Sequence, residues 1–156
     1  MPPFASQFCY IVRCDGATSL RAVSEMVKSV LIADDNAFVR QGLGELFRRE
    51  PDFEVCAEAE NGKQAIEEAC ESQPDLIVLD LSMPVMNGLA AARVLKRLMP
   101  EVPIVMFSVY ADSFTETEAR SAGVSVLVSK LDDTAVLVGI ARNLVYPTPL
   151  DHLFAA

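Results

Sequence analysis

The chain has 156 residues, of which 51% are hydrophobic and 22% charged, and a formal net charge of −9. That length holds one domain with a sizeable core plus short appendages, and the acidic balance argues against nucleic acid as the main partner, because phosphate binding needs basic patches. No apolar run approaches the ~20 residues of a membrane span, and MPPFASQFCYIVRCDG lacks the basic stretch and apolar core of a signal peptide; a cytoplasmic protein, off the membrane, is expected.

Residues 1–27 read as a weakly patterned extension. From there the chain alternates apolar runs of strand length with helix-patterned stretches. Val30–Ala33 is a near-continuous apolar run, as expected for a parallel strand covered on both faces. Asn36–Glu50 follows as a helix with Phe38, Leu43, Leu46 and Phe47 toward one side, and Pro51 stops it. Phe53–Ala59 alternates partly, which suits an edge strand. Asn61–Ser72 carries Ala65, Ile66 and Ala69 at helical spacing, with Pro74 just beyond. Leu76–Leu79 is again fully apolar and leads to a helix over Gly88–Met99, with Leu89, Ala92, Leu95 and Leu98 or Met99 on its apolar side. Ile104–Phe107 is the fourth strand, Asp112–Ala122 a weaker helix ended by Gly123, and Val124–Val128 the fifth strand. Asp132–Val145 closes the pattern with Val136, Leu137, Ile140 and Leu144. Residues 146–156 form a short tail with no room for an output domain. Five βα units imply a parallel sheet with right-handed crossovers, whose ligand binds beyond the carboxyl ends of the strands.

The four cysteines, Cys9, Cys14, Cys56 and Cys70, read as free thiols in a reducing compartment. With His152 as the single histidine, no thiolate or imidazole metal site is spelled out.

The strand ends collect polar groups. Asp34 and Asp35 follow the first strand, Asp80 the third, Ser108 the fourth, and Ser129 and Lys130 the fifth. Carboxylates a few ångströms apart repel one another, so a cation or protons must accompany them. Oxygen ligands without His or Cys favour a hard cation such as Mg²⁺. A lysine and a serine hydroxyl suit a phosphoryl group, and aspartate can act as the nucleophile in acyl-phosphate chemistry.

The motifs VLIADDN (30–36), LIVLDLSMPVMNG (76–88), IVMFS (104–108) and SK (129–130) resemble those of the receiver domain of bacterial two-component response regulators, over residues 28–145. The resemblance implies a flavodoxin-like (βα)₅ three-layer α/β sandwich with a five-stranded parallel sheet in the order 2-1-3-4-5. It implies Asp80 as phosphoacceptor, assisted by Lys130 and Ser108. Mg²⁺ would be held by Asp35, Asp80 and the backbone carbonyl of Ser82, with Asp34 acting through water. The implied partners are a sensor histidine kinase or phosphotransfer protein as donor and a downstream protein target. Direct nucleic-acid binding is not expected, and a homodimer stays open.

Three positions depart from the family's usual pattern. Leu127 stands where Tyr or Phe is common, Val109 where Ala or Gly follows the hydroxyl residue, and Leu131 where Pro often follows the lysine. Two functional readings therefore stand side by side: a phosphorylatable receiver in a phosphorelay, and a degenerate receiver that binds protein without regard to phosphorylation. An aspartate-dependent phosphatase would want a second acid where Ser82 stands, so the chain is expected not to be an enzyme.

Overall fold

A computed structural model describes residues 27–147. The expectations for residues 1–26 and 148–156, including those for Cys9, Cys14 and His152, lie outside the described residues. Five strands, β1 (Lys28–Ala33), β2 (Phe53–Ala59), β3 (Leu76–Leu79), β4 (Ile104–Ser108) and β5 (Val126–Ser129), alternate with five helices. These are α1 (Ala37–Arg48), α2 (Gly62–Ser72), α3 (Gly88–Leu98), α4 (Ser113–Ser121) and α5 (Thr134–Val145). All pairings are parallel and the order is β2-β1-β3-β4-β5, the expected flavodoxin-like architecture with β2 on an edge.

Period-2 alternation within the apolar strands supplies two cores. Leu31, Ala33, Ile77, Leu79, Ile104 and Met106 face one way, against small residues of α2 and α3 such as Ala65, Ala69, Ala91 and Ala92. Val30, Ile32, Leu76, Val78, Val105 and Phe107 face the other, against Leu43 and Phe47 of α1 and Leu137 and Ala141 of α5. β1, β3 and β4 are covered on both sides, which is why their runs read as unbroken hydrophobics.

β2 changes face partway along. Val30 pairs with Val55 but Leu31 pairs with Ala57, so Cys56 is an extra residue in a β-bulge. Phe53 and Val55 consequently pack with α1 and α5, whereas Ala57 and Ala59 pack on the α2 side. The bulge turns Glu58 toward α1, where it meets Arg40 and Arg48.

Helix boundaries follow the capping chemistry. Asn36, Asn61, Asn87, Asp112 and Asp133 cap α1 to α5, each accepting from a backbone N–H of the first turn. Gly123, with φ +89°, provides the left-handed residue just past α4. There Val124 donates its N–H back to Ala119, so β5 begins at Val126 rather than at Val124. Phe38 and Val136, expected on apolar stripes, are exposed, at 87% and 47%. Phe38 is the second residue of α1 and precedes its first core contact, while α5 buries Leu137, Val138 and Ala141 instead.

At the far end of the sheet, Arg142 of α5 forks onto Asp52 (2.6 and 3.0 Å) and Glu50 (2.8 Å), and the Tyr146 hydroxyl donates to the Asp52 carbonyl. The hydrogen bond from Arg142 holds the Asp52 carboxyl below its ordinary range, so this clamp weakens only in strong acid.

The β3–α3 loop contains a backbone anomaly. Val85 sits at φ +67° and is 80% exposed, a conformation that is strained for a β-branched residue. Val85→Asn, which tolerates that region, is expected to stabilise the fold by about 1 kcal/mol; urea denaturation checks this, and an unchanged midpoint would mean the loop relaxes without cost.

Candidate functional site

The carboxyl ends of β1, β3, β4 and β5 meet at one edge of the sheet. Asp34 is 1% exposed, and each of its polar atoms has a partner. Its N–H donates to Ala59 O (3.0 Å), Oδ1 accepts from the Asn36 N–H (2.9 Å), Oδ2 accepts from Lys130 Nζ (2.6 Å), and its carbonyl accepts from Arg40 Nη1 (2.7 Å). The neighbouring Asp35 is exposed.

Asp80, 5% exposed, ends β3 and donates its N–H to Ala33 O (2.8 Å), which ties it to the same turn. The loop after it returns at once: the Gly88 N–H bonds Leu81 O at 2.8 Å. A Cβ at Gly88 would lie 2.1 Å from the Asp80 carbonyl oxygen, so only glycine lets α3 start so close to the acid. Asp34, Asp35 and Asp80 each offer a carboxylate oxygen within 4.8 Å of the others.

Lys130, the residue after β5, reaches into this group. Its Nζ contacts Asp34 Oδ2 at 2.6 Å and Asp80 Oδ1 at 3.1 Å, and it lies 5.9 Å from the centre of the buried Phe107 ring. Burial alone would lower the ammonium pKa, but the hydrogen bonds to Asp34 and Asp80 outweigh it and the net shift is upward. Asp80 is also shifted upward, first by burial and then by the like charge of Asp34, against the hydrogen bond from Lys130. The two upward shifts are compatible, because one ammonium shared by two buried acids does not neutralise both.

Ser108 is buried at the end of β4, opposite Ser129 in β5, and its carbonyl accepts from the Lys130 N–H. Its hydroxyl oxygen accepts from the Tyr110 N–H at 3.1 Å, which turns it toward its own loop. Ser82, two residues after Asp80, is exposed. Thus Asp34, Asp35, Asp80 and Lys130 converge, while Ser108 and Ser82 flank them. The donor set, three hard carboxylate oxygens without nitrogen or sulfur, fits a small divalent cation.

Arg40 was not legible as a site residue. The signal for it is electrostatic: a cation in the first turn of a helix opposes the helix dipole and calls for a partner.

Comparison with known proteins agrees with this geometry. Residues 30–142 match the response regulator receiver domain family. The chain is 36% identical over 100 residues to transcriptional regulatory protein LnrK of Bacillus subtilis, covering 64% of this chain and 45% of LnrK. It is 40% identical over 92 residues to a protein-glutamate methylesterase/protein-glutamine glutaminase of Pyrococcus abyssi, covering 59% of this chain and 25% of that protein. Among solved structures, the response regulator domain of Thermotoga maritima CheB matches with a TM-score of 0.71 and 28% identity, over 79% of this chain and 99% of that one. The chain therefore spans less than half the length of these curated relatives.

The methylesterase likeness corrects one expectation. The chain was expected not to be an enzyme, yet a match to part of a larger enzyme removes the ground for that exclusion, since a receiver's own residues do not report what chemistry accompanies it. Among the described residues no helix is long and apolar enough to cross a membrane. The fold, the acidic edge and the family match over residues 30–142 lead to one conclusion: the chain belongs to the response regulator receiver domain family of two-component signal transduction systems.

Proposed function

We propose that residues 28–145 form a phosphorylatable receiver that takes a phosphoryl group onto Asp80 from a phosphohistidine of a sensor kinase or phosphotransfer protein in the cytoplasm. The observation that carries this reading is the convergence of three carboxylates within 4.8 Å, two of them bridged by Lys130. An Asp80 carboxylate oxygen attacks phosphorus, the P–N bond breaks, and the imidazole nitrogen keeps the electron pair and then takes a proton. Asp35, Asp80 and the Ser82 carbonyl would hold Mg²⁺, with Asp34 bound through water. The cation supplies charge neutralisation for the acids and the phosphoryl oxygens. Lys130 supplies a second positive charge to the phosphoryl group, and Ser108, once turned from Tyr110, donates its hydroxyl to a phosphoryl oxygen. The resulting shift of the β4–α4 loop is the signal that a downstream protein reads.

The test is intact-mass measurement after incubation with acetyl phosphate. The wild type should gain one phosphoryl group in the presence of Mg²⁺ and lose that gain in EDTA, and Asp80→Asn should gain none. A wild type unmodified with Mg²⁺ present would sink the proposal.

A second reading rests on Leu127 and Val109. Leu127 is an aliphatic residue packed on the α2–α4 side, and the half-exposed Val109 stands beside Ser108. A receiver with this readout half would bind its partner with the same affinity whether Asp80 is intact or changed to Asn. A marked shift in that affinity would exclude it.

A further inference from the structure

We propose that Arg40 is a positioning residue for the acidic site, fixing the Asp34–Asp35 peptide so that Asp35 is aimed at the cation. The inference rests on reading Asp34, Asp35 and Asp80 as the Mg²⁺ site. Arg40 stands in the first turn of α1, where the helix dipole disfavours a cation. Its side chain is nevertheless held with 14% exposure, by hydrogen bonds to Asp34 O at 2.7 Å from Nη1 and Glu60 Oε1 at 3.4 Å from Nη2, and by an ion pair with Glu58 Oε2 at 3.5 Å from Nε.

The short bond is the informative one. A carbonyl oxygen shares its plane with the next peptide nitrogen, so the bond to Asp34 O sets the direction in which the chain enters Asp35. Asp34 is anchored on its other sides by Ala59, Asn36 and Lys130, and Arg40 completes the set. The two glutamates anchor the guanidinium in turn. Glu58 reaches the α1 face because the Cys56 bulge reverses β2, and Glu60 follows the strand end. A planar, charge-assisted fork can serve a carbonyl and two carboxylates together, which a lysine ammonium on a flexible stem does less well.

The side chains of Glu58 and Glu60 are 35% and 68% exposed, so pairing with them adds little stability, and Arg48 provides a built-in control. It pairs with the same Glu58 at 3.0 Å and lies at the other end of α1 from Asp34. A purely structural role for Arg40, tying α1 to β2, would be shared by Arg48. A positioning role would not.

The experiment compares Arg40→Met, Arg40→Lys and Arg48→Met in the full chain. Calorimetric titration gives the Mg²⁺ dissociation constant, and the rate of phosphoryl uptake from acetyl phosphate is followed against Mg²⁺ concentration. Arg40→Met should weaken Mg²⁺ binding about tenfold and raise the half-saturating Mg²⁺ in step, with the rate at saturation near wild type. Arg40→Lys should fall between, and Arg48→Met should match the wild type. Equal shifts for Arg40→Met and Arg48→Met, or none for either, would overturn the proposal. If Arg40→Met does not fold, Arg40→Lys decides, and a wild-type Mg²⁺ affinity there is the overturning result. A wild type that binds no millimolar Mg²⁺ would overturn the metal site itself, and Arg40's role with it, before any variant is compared.

Discussion

Gly88→Ala should destabilise the protein by about 3 kcal/mol or more and displace Asp80, although the change adds a single methyl group. The added Cβ would lie 2.1 Å from the Asp80 carbonyl oxygen, 2.9 Å from its carbonyl carbon and 3.0 Å from Leu81 Cα. All three are backbone atoms, so no side-chain rotation relieves the clash. Either α3 backs away from β3, breaking the Gly88 N–H bond to Leu81 O, or the end of β3 moves with Asp80 on it. Gly42→Ala is the matched control, because Gly42 is also helical but its added Cβ meets nothing within 4 Å. There the gain in helix propensity should stabilise by about 0.5–1 kcal/mol. Urea denaturation of the pair would show opposite shifts, and a Gly88→Ala midpoint equal to wild type would contradict the close-packed turn.

Removing the ammonium at the centre of the site should have an effect of similar size. Lys130 is the group that contacts both Asp34 and Asp80, and those acids are 1% and 5% exposed. Lys130→Met leaves both buried without it, at a cost of about 3 kcal/mol near neutral pH in EDTA. Two treatments should return most of the loss. Mg²⁺ stabilises by binding the folded state alone. Acid stabilises because the Asp80 carboxyl already sits above its ordinary value in the folded protein, chiefly through burial, and rises further without the ammonium. An acid whose folded pKa exceeds its unfolded value loses stability as pH rises between the two, and regains it as pH falls. The deficit should thus shrink from pH 7 toward pH 5 and on adding Mg²⁺. Equal stability of the variant and wild type in EDTA at pH 7 would mean that the pair contributes nothing to the resting fold.

Much of this arrangement is written locally in the sequence. Val30–Ala33, Leu76–Leu79 and Ile104–Phe107 are unbroken apolar runs because both sheet faces are covered, and a polar residue ends each one where the cover stops. Asp34, Asp35, Asp80, Ser108 and Lys130 were therefore legible as one edge before any geometry was known. Features that depend on register were not. Nothing in FEVCAEA marks Cys56 as a bulge, because Ala57 and Ala59 fit either face. Phe38 reads with Leu43 and Phe47 as one apolar side, yet at ~3.6 residues per turn it lies about half a turn round the helix from Phe47, so it faces outward while Phe47 is buried. Arg40 is invisible to helical periodicity, because its partners come from the Asp34 carbonyl, from Glu58 of β2 and from Glu60 just beyond it. The orientation of Ser108 is likewise set by Tyr110 N–H, a backbone donor in a loop.

In the proposed function Asp80 carries the phosphoryl group, and borohydride trapping tests this at residue level. Reduction of an aspartyl phosphate yields homoserine, which peptide mass spectrometry locates. After treatment with acetyl phosphate and Mg²⁺, homoserine is expected at position 80, and none in the EDTA control. Homoserine at position 34 or 35, or no conversion with Mg²⁺ present, would contradict it.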